Sequence, residues 1–171
     1  MTTTVSGDTG VSQCQPDSVS QDDLKNGVVG KGPAFRAYRS GSSQSVSAST
    51  WTTVQLNAES FDTNNAFDIS TYKFTPQIAG YYLFNAALDV LSTGGAVTEV
   101  GMRIMKNGVT DNMLYISSST MSTNELFALT TIMYLNGTTD YAEFQGIGSG
   151  GSSRVFNSTT TNFAGVLVRA A

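Results

Sequence analysis

The chain has 171 residues, 40% hydrophobic and only 13% charged, with a net charge of −4 and no histidine. That length buries one sizeable core with an arm to spare, and the acidic balance excludes the concentrated Lys and Arg that nucleic acid or anionic membranes require. Without histidine the usual proton shuttle and metal ligand is gone, which excludes Ser-His-Asp and Cys-His arrangements; the sequence predicts no enzyme, no metal and no cofactor.

Residues 1 to 32 differ in composition from the rest of the chain. They hold Gly7, Gly10, Gly27, Gly30 and Gly32 and the chain's single cysteine, Cys14, so no disulfide forms within the chain. Met1-Thr2-Thr3-Thr4 has neither a basic stretch nor an apolar one after it, so no export signal is expected. No apolar run approaches the ~20 residues of a membrane helix, and no membrane insertion is expected. Composition leaves two readings of this segment open. It is a disordered tail, or it is an anchor ordered against other subunits through Asp22, Asp23, Leu24 and Val28.

From Pro33 onward strands follow one another. Ala34 to Arg39 reads as a short strand, and Trp51 to Asn57 alternates between Thr53 or Gln55 and Val54 or Leu56. Tyr72 to Thr75 leads through Pro76 into Gly80 to Leu91, where Tyr82, Phe84, Ala86, Leu88 and Val90 share one face by period two. The other face, with Tyr81, Leu83 and Ala87, is half apolar as well. Val97 to Lys106 alternates again, and Asn107-Gly108 supplies the positive φ angles of a tight hairpin that returns through Val109 to Ser117. Glu125 to Leu135 repeats the two-sided apolar pattern. Tyr141 to Ile147, a glycine-serine loop from Gly148 to Ser153, and a last strand from Asn162 to Arg169 complete the chain. No stretch offers an amphipathic helix, so the class is all-β, a sandwich or jelly roll.

Several of these segments together resemble one family. Phe67-Asp68-Ile69-Ser70-Thr71-Tyr72-Lys73-Phe74-Thr75-Pro76 precedes Gly80-Tyr81-Tyr82-Leu83-Phe84, Lys106-Asn107-Gly108 follows, and Asn162-Phe163-Ala164-Gly165-Val166-Leu167-Val168 closes the chain. This ordered set resembles the globular head of complement C1q and its tumour-necrosis-factor-like relatives. The resemblance implies a roughly ten-stranded jelly-roll sandwich over residues 33–171 that assembles as a trimer and binds ligands without catalysis. Upstream, Gln15 to Val29 resembles the short Asp-Ser-Val, Asp-Leu and Asn-Gly-Val modules that precede C1q-type knobs in bacteriophage fibre proteins.

Candidate sites carry competing readings. Asp62, Asn64 and Asp68 could offer hard oxygens to calcium, but the loop lacks the central glycine and distal glutamate of an EF-hand and reads as a structural turn. Gly146 to Gly151 lacks the helix that a phosphate loop needs behind it. Trp51 is either a core or edge-covering residue or a platform for a glycan. The surplus apolar surface of the two-sided strands predicts a homotrimer interface through Tyr81, Leu83, Phe127, Leu129 and Met133. Hydroxyl- and amide-rich loops, with Ser119, Thr120, Ser122, Asn124, Ser152 and Arg154, are the candidate ligand contacts.

Taken together, the expectation is a non-catalytic virion structural protein of a bacteriophage. It is a trimeric C1q-like knob, made in the host cytoplasm, anchored to other virion proteins through residues 1–32 and binding a host surface receptor or glycan. The alternative is a capsid or tail decoration protein that cements the particle. A secreted or cell-surface C1q-like ligand or adhesin is the third reading.

Overall fold

The alternation read from the sequence becomes two antiparallel sheets in the computed structural model, which describes residues 32–119, 121–158 and 160–171. The expected anchor residues Asp22, Asp23, Leu24 and Val28, and also Thr120, lie outside the described residues.

Among the described residues thirteen strands run in chain order: β1 Ala34–Tyr38, β2 Gln44–Ser45, β3 Thr52–Thr53, β4 Ala58–Asp62, β5 Phe67–Asp68, β6 Lys73–Phe74, β7 Gly80–Thr93, β8 Val97–Lys106, β9 Val109–Ser117, β10 Asn124–Leu135, β11 Ala142–Gly150, β12 Ser153–Phe156 and β13 Asn162–Ala170. The 7-stranded first sheet is centred on β7, which pairs along one edge with β10 and along the other with β13 and then β12; β1 and β4 extend it beyond β13. The 6-stranded second sheet runs β5-β6-β11-β8-β9, with β3 also on β11. In the β8–β9 hairpin Asn107 and Gly108 take φ of 52° and 79°. That mirror-image turn matches the right-handed twist of its strands.

The two sheets enclose a core rich in aromatic rings. Phe35 stacks on Phe74 with centroids 4.4 Å apart, and Phe84 stacks on Phe163 at 5.4 Å. Leu88, Met102, Ile104, Phe144 and Phe156 fill the rest. Each aromatic ring buries a large apolar area, which makes this cluster the dominant stabilising element.

The long strands match expectation, and the differences lie in the short ones. Of Trp51 to Asn57 only β3 pairs with β11, because the chain then turns inward. Leu56 N donates to Val54 O at 3.0 Å, and Val54 and Leu56 both become core. The expected loop at Gly148 to Ser153 begins later, because Gly148 and Ser149 stay in register with Val100 and Glu99 of β8. Strands β2, β4, β5 and β12 are additions to the elements expected from periodicity.

Candidate functional site

A strand that buries one face must present the other, and in the first sheet that outer face is unusually apolar. On β7 the side chains of Tyr81, Leu83, Asn85 and Ala87 point away from the core. The register sets Tyr134 opposite Tyr81, Ile132 opposite Leu83, Thr130 opposite Asn85 and Ala128 opposite Ala87 on β10. On the other side Val166 lies opposite Leu83 and Ala164 opposite Asn85. The rows continue through β1 to Phe61 of β4, which is opposite Arg36.

Exposure shows how little of this face is covered. Ile132 is 59% exposed and Leu126 57%, with Tyr81, Phe61, Val166, Val168 and Tyr134 also exposed. Tyr81 and Tyr134 meet edge to face at 5.5 Å. Lys106 reaches across, its Nζ donating to Tyr134 O at 2.7 Å and pairing with Asp140 at 2.8 Å. That contact, together with Asn107 and Asn136, holds the Asp140 carboxyl below its ordinary range. Asn85 Nδ2 donates to Thr130 Oγ1 at 2.9 Å, so the polar pair at the centre is satisfied within the sheet. Between Phe61, Leu83 and Val166, with Ala34 and Ala164 at its sides, lies a depression of about 290 Å³ with almost entirely apolar walls. Contiguous apolar surface of this kind on a sheet is the signature of an interaction site.

The five residues expected at the trimer interface divide between the two faces. Tyr81 and Leu83 stand on the outer face. Phe127, Leu129 and Met133 do not: they lie opposite Leu88, Ala86 and Tyr82 and point toward the core. Met133 is 4% exposed, and Phe127 and Leu129 are half-buried against the cluster. The cause is parity, since a shift of one residue moves the whole set to the other face. The outward residues of β10 are Leu126, Ala128, Ile132 and Tyr134, and sequence reasoning missed them.

The loop residues gather at one end of the sandwich, around the end of β7. Val97 N donates to Ser122 O and Ser92 N to Thr123 O, each at 2.8 Å, and Asn124 lies opposite Leu91. Ser152 Oγ donates to Thr93 O at 3.2 Å, and Arg154 lies opposite Ser92. Ser119 follows Ser118, whose N donates to Thr98 O at 3.0 Å. Both ends of the described domain lie at the opposite pole: Leu167 N donates to Pro33 O, and Ala171 N to Ala79 O, each at 3.0 Å.

The candidate calcium loop uses its carboxylates on itself. Asp62 Oδ2 accepts from Phe67 N at 2.7 Å and Oδ1 from Asn64 N at 3.3 Å. Asp68 accepts from the Ser70 hydroxyl at 2.6 Å and amide at 2.7 Å and from the Thr71 hydroxyl at 2.8 Å, bonds that pull its pKa down to about 2. Among the described residues no three His, Cys, Asp or Glu side chains gather to hold a metal ion.

No family model and no curated protein sequence matches this chain. Its likenesses are to solved structures. The globular domain of zebrafish complement 1qA protein matches at 22% identity with a TM-score of 0.62, over 82% of this chain and 99% of that one. Eiger TNF from S. frugiperda matches at 11% identity with a TM-score of 0.62, over 82% of this chain and 95% of that one. Murine APRIL matches at 10% identity with a TM-score of 0.60, over 81% of this chain and all 100% of that one. These likenesses show the fold: an all-β jelly roll of the C1q and TNF kind.

Proposed function

We propose that this chain is a non-catalytic head domain that assembles through the outer face of its first sheet into a homotrimer on a bacteriophage particle and binds a host surface receptor or glycan. The observation that carries the reading is that apolar face, with Tyr81, Leu83, Leu126, Ile132, Tyr134 and Val166 turned to solvent in the single chain. Burying a large apolar side chain stabilises by about 1.5–3 kcal/mol, so several such residues on each copy favour closed self-association. Three-fold closure is what the C1q-like pattern of the sequence implies.

Polarity within the domain supports a head mounted at one pole and binding at the other. The domain enters at Pro33 and leaves at Ala171 beside one end of β7, and the hydroxyl-rich loops cluster at the other. The virion placement rests on the likeness of residues 15–29 to modules of phage fibre proteins. Deletion of residues 1–30 tests it. The truncated domain is expected to fold and keep its trimeric mass in light scattering, yet to be missing from purified particles. Normal incorporation of the deletion variant overturns the anchor. Particles lacking the protein that adsorb normally but burst under heat or osmotic shock identify a cement protein instead.

A further inference from the structure

The outer face of the second sheet has a different chemistry from the first. Its cross-strand rows are set by register. Gly101 of β8 lies between Tyr115 of β9 and Ile147 of β11. The next row joins Met113, Arg103, Gln145 and Thr53, and the row on the other side joins Ser117, Glu99 and Ser149. Gly101 is what permits the arrangement. A Cβ there would lie 2.8 Å from Ile147 Cγ2, 2.9 Å from Tyr115 Cδ2 and 3.0 Å from Trp51 Cη2, so three side chains converge over a residue that has none.

Polar groups frame these rings in fixed orientations. The Arg103 guanidinium stacks over the Trp51 ring at 4.5 Å, while its Nε and Nη2 both donate to Gln145 Oε1 at 3.0 and 2.6 Å. Glu99 accepts from the Tyr115 hydroxyl on one oxygen and from Ser49 Oγ at 2.6 Å on the other. Ser49 Oγ also contacts Ser149 Oγ at 3.2 Å. Glu99 and Arg103 offset one another in charge and both are held by neutral partners. A carboxylate has about four lone-pair sites and a guanidinium about five N–H donors, so each keeps capacity beyond the bonds named. Tyr115 and Met113 remain 47% and 52% exposed, and Trp51 is partly exposed.

We propose that this belt, centred on Trp51, Tyr115, Glu99, Arg103 and Gln145, is a binding site for a neutral saccharide. Charge complementarity selects that occupant. The belt has no excess of either sign, so it offers nothing to a phosphate, a sulfate or a basic peptide. Planar side chains with spare donors and acceptors suit pairs of hydroxyls, and exposed ring surface suits the apolar face of a pyranose. Because the protein has already ordered these groups, little side-chain entropy is lost on binding. The inference rests on the reading of this chain as a binding head and names its ligand class. It places this site on the sheet flank, in addition to the contacts of the terminal loops.

Trp51 is the only tryptophan in the chain, so its emission reports on the site directly. The full-length protein is titrated with neutral oligosaccharides of glucose, galactose, mannose, rhamnose and N-acetylhexosamines, and with sialyllactose as the anionic arm. At least one neutral sugar is expected to shift the emission saturably below about 10 mM, and Tyr115→Ala and Gln145→Ala are each expected to weaken it about ten-fold or more. Thr138→Ala, at an exposed position in the turn between β10 and β11, is expected to leave it unchanged. Light-scattering mass and melting temperature of each variant separate loss of binding from loss of assembly or fold. The proposal is overturned if no neutral sugar shifts the emission, if only sialyllactose does, or if folded Tyr115→Ala binds as the parent does. None of these outcomes touches the trimer.

Discussion

The outer faces of the two sheets are built from the same alternation and end up chemically opposite. On the first sheet the outward positions are Leu83, Leu126, Ile132 and Val166 around one internally satisfied Asn85–Thr130 pair. On the second they are Glu99, Arg103, Gln145 and Tyr115, bonded to one another across strands. Strand propensity alone does not distinguish the two, since aromatic and β-branched residues suit either. What differs is what remains unsatisfied. The first face is mainly apolar area in water, which favours another protein surface. The second combines exposed side-chain surface at Tyr115 and Met113 with spare hydrogen-bonding capacity, which favours a small polar ligand that has an apolar face.

The largest expected effect comes from placing a charge on each face in turn. Ile132→Asp sets a carboxylate where self-association would bury it, and an isolated buried charge costs far more than one interface residue contributes. The mass in light scattering at micromolar concentration is therefore expected to fall from three chains to one. Met113→Asp, at an equally exposed position on the second sheet, is expected to leave the mass unchanged. If both variants dissociate, or neither does, the assignment of assembly to the first sheet is wrong.

A smaller effect distinguishes the two faces within β10. Met133 is part of the core, so Met133→Ala is expected to lower stability by about 2–5 kcal/mol, seen in denaturant unfolding of the assembled protein. Leu126→Ala, from a position 57% exposed in the single chain, is expected to weaken association while changing the stability of the dissociated chain by less than about 0.5 kcal/mol. A large loss of monomer stability from Leu126→Ala would mean that Leu126 faces the core and that the parity of β10 is reversed.

Much of this was legible in the sequence, and the failures have a common cause. Strands β7 to β10 and β13 are long enough for period two to repeat several times, and their limits agree with expectation to within a residue or two. Strands β2, β5 and β12 have two to four residues, too few for any period, and exist because β6, β7 and their neighbours supply edges to pair with. Strand β4, Ala58–Asp62, carries a mixed AESFD pattern that only its pairing with β1 makes a strand. The expected interface residues on β10, Phe127, Leu129 and Met133, all fall on the core face, and both faces of that strand are apolar in the sequence. Parity is settled by the β7 register, in which Leu129 faces Ala86 and Ile132 faces Leu83, and no feature local to β10 encodes it. In the sequence Trp51 reads first as core or edge cover and only second as a ligand platform, because its neighbours, Gly101 and Arg103, are about fifty residues away.

The smallest expected effect is a pH dependence, and it contrasts a core tyrosine with one on the second face. Burial pushes the Tyr82 hydroxyl up from 10.0 to about 12, while it donates to Ile78 O at 2.7 Å. Tyr115 is also raised, chiefly by its hydrogen bond to Glu99, but it is a surface group. A hydroxyl whose folded pKa lies above its unfolded value contributes stability that is complete below the unfolded value. That stability is lost as pH rises through the folded one. For Tyr82 the window therefore runs from pH 10 to about 12. Tyr82→Phe is expected to cost about 0.5–1.5 kcal/mol at neutral pH through the lost hydrogen bond and to flatten the fall in melting temperature across that window. Tyr115→Phe is expected to leave the slope nearly unchanged, because an exposed pair is screened by solvent and contributes little. Should Tyr115→Phe flatten the alkaline limb and Tyr82→Phe leave it intact, the Glu99–Tyr115 contact would be a structural tie of the second sheet, and its spare capacity for a ligand would be correspondingly smaller.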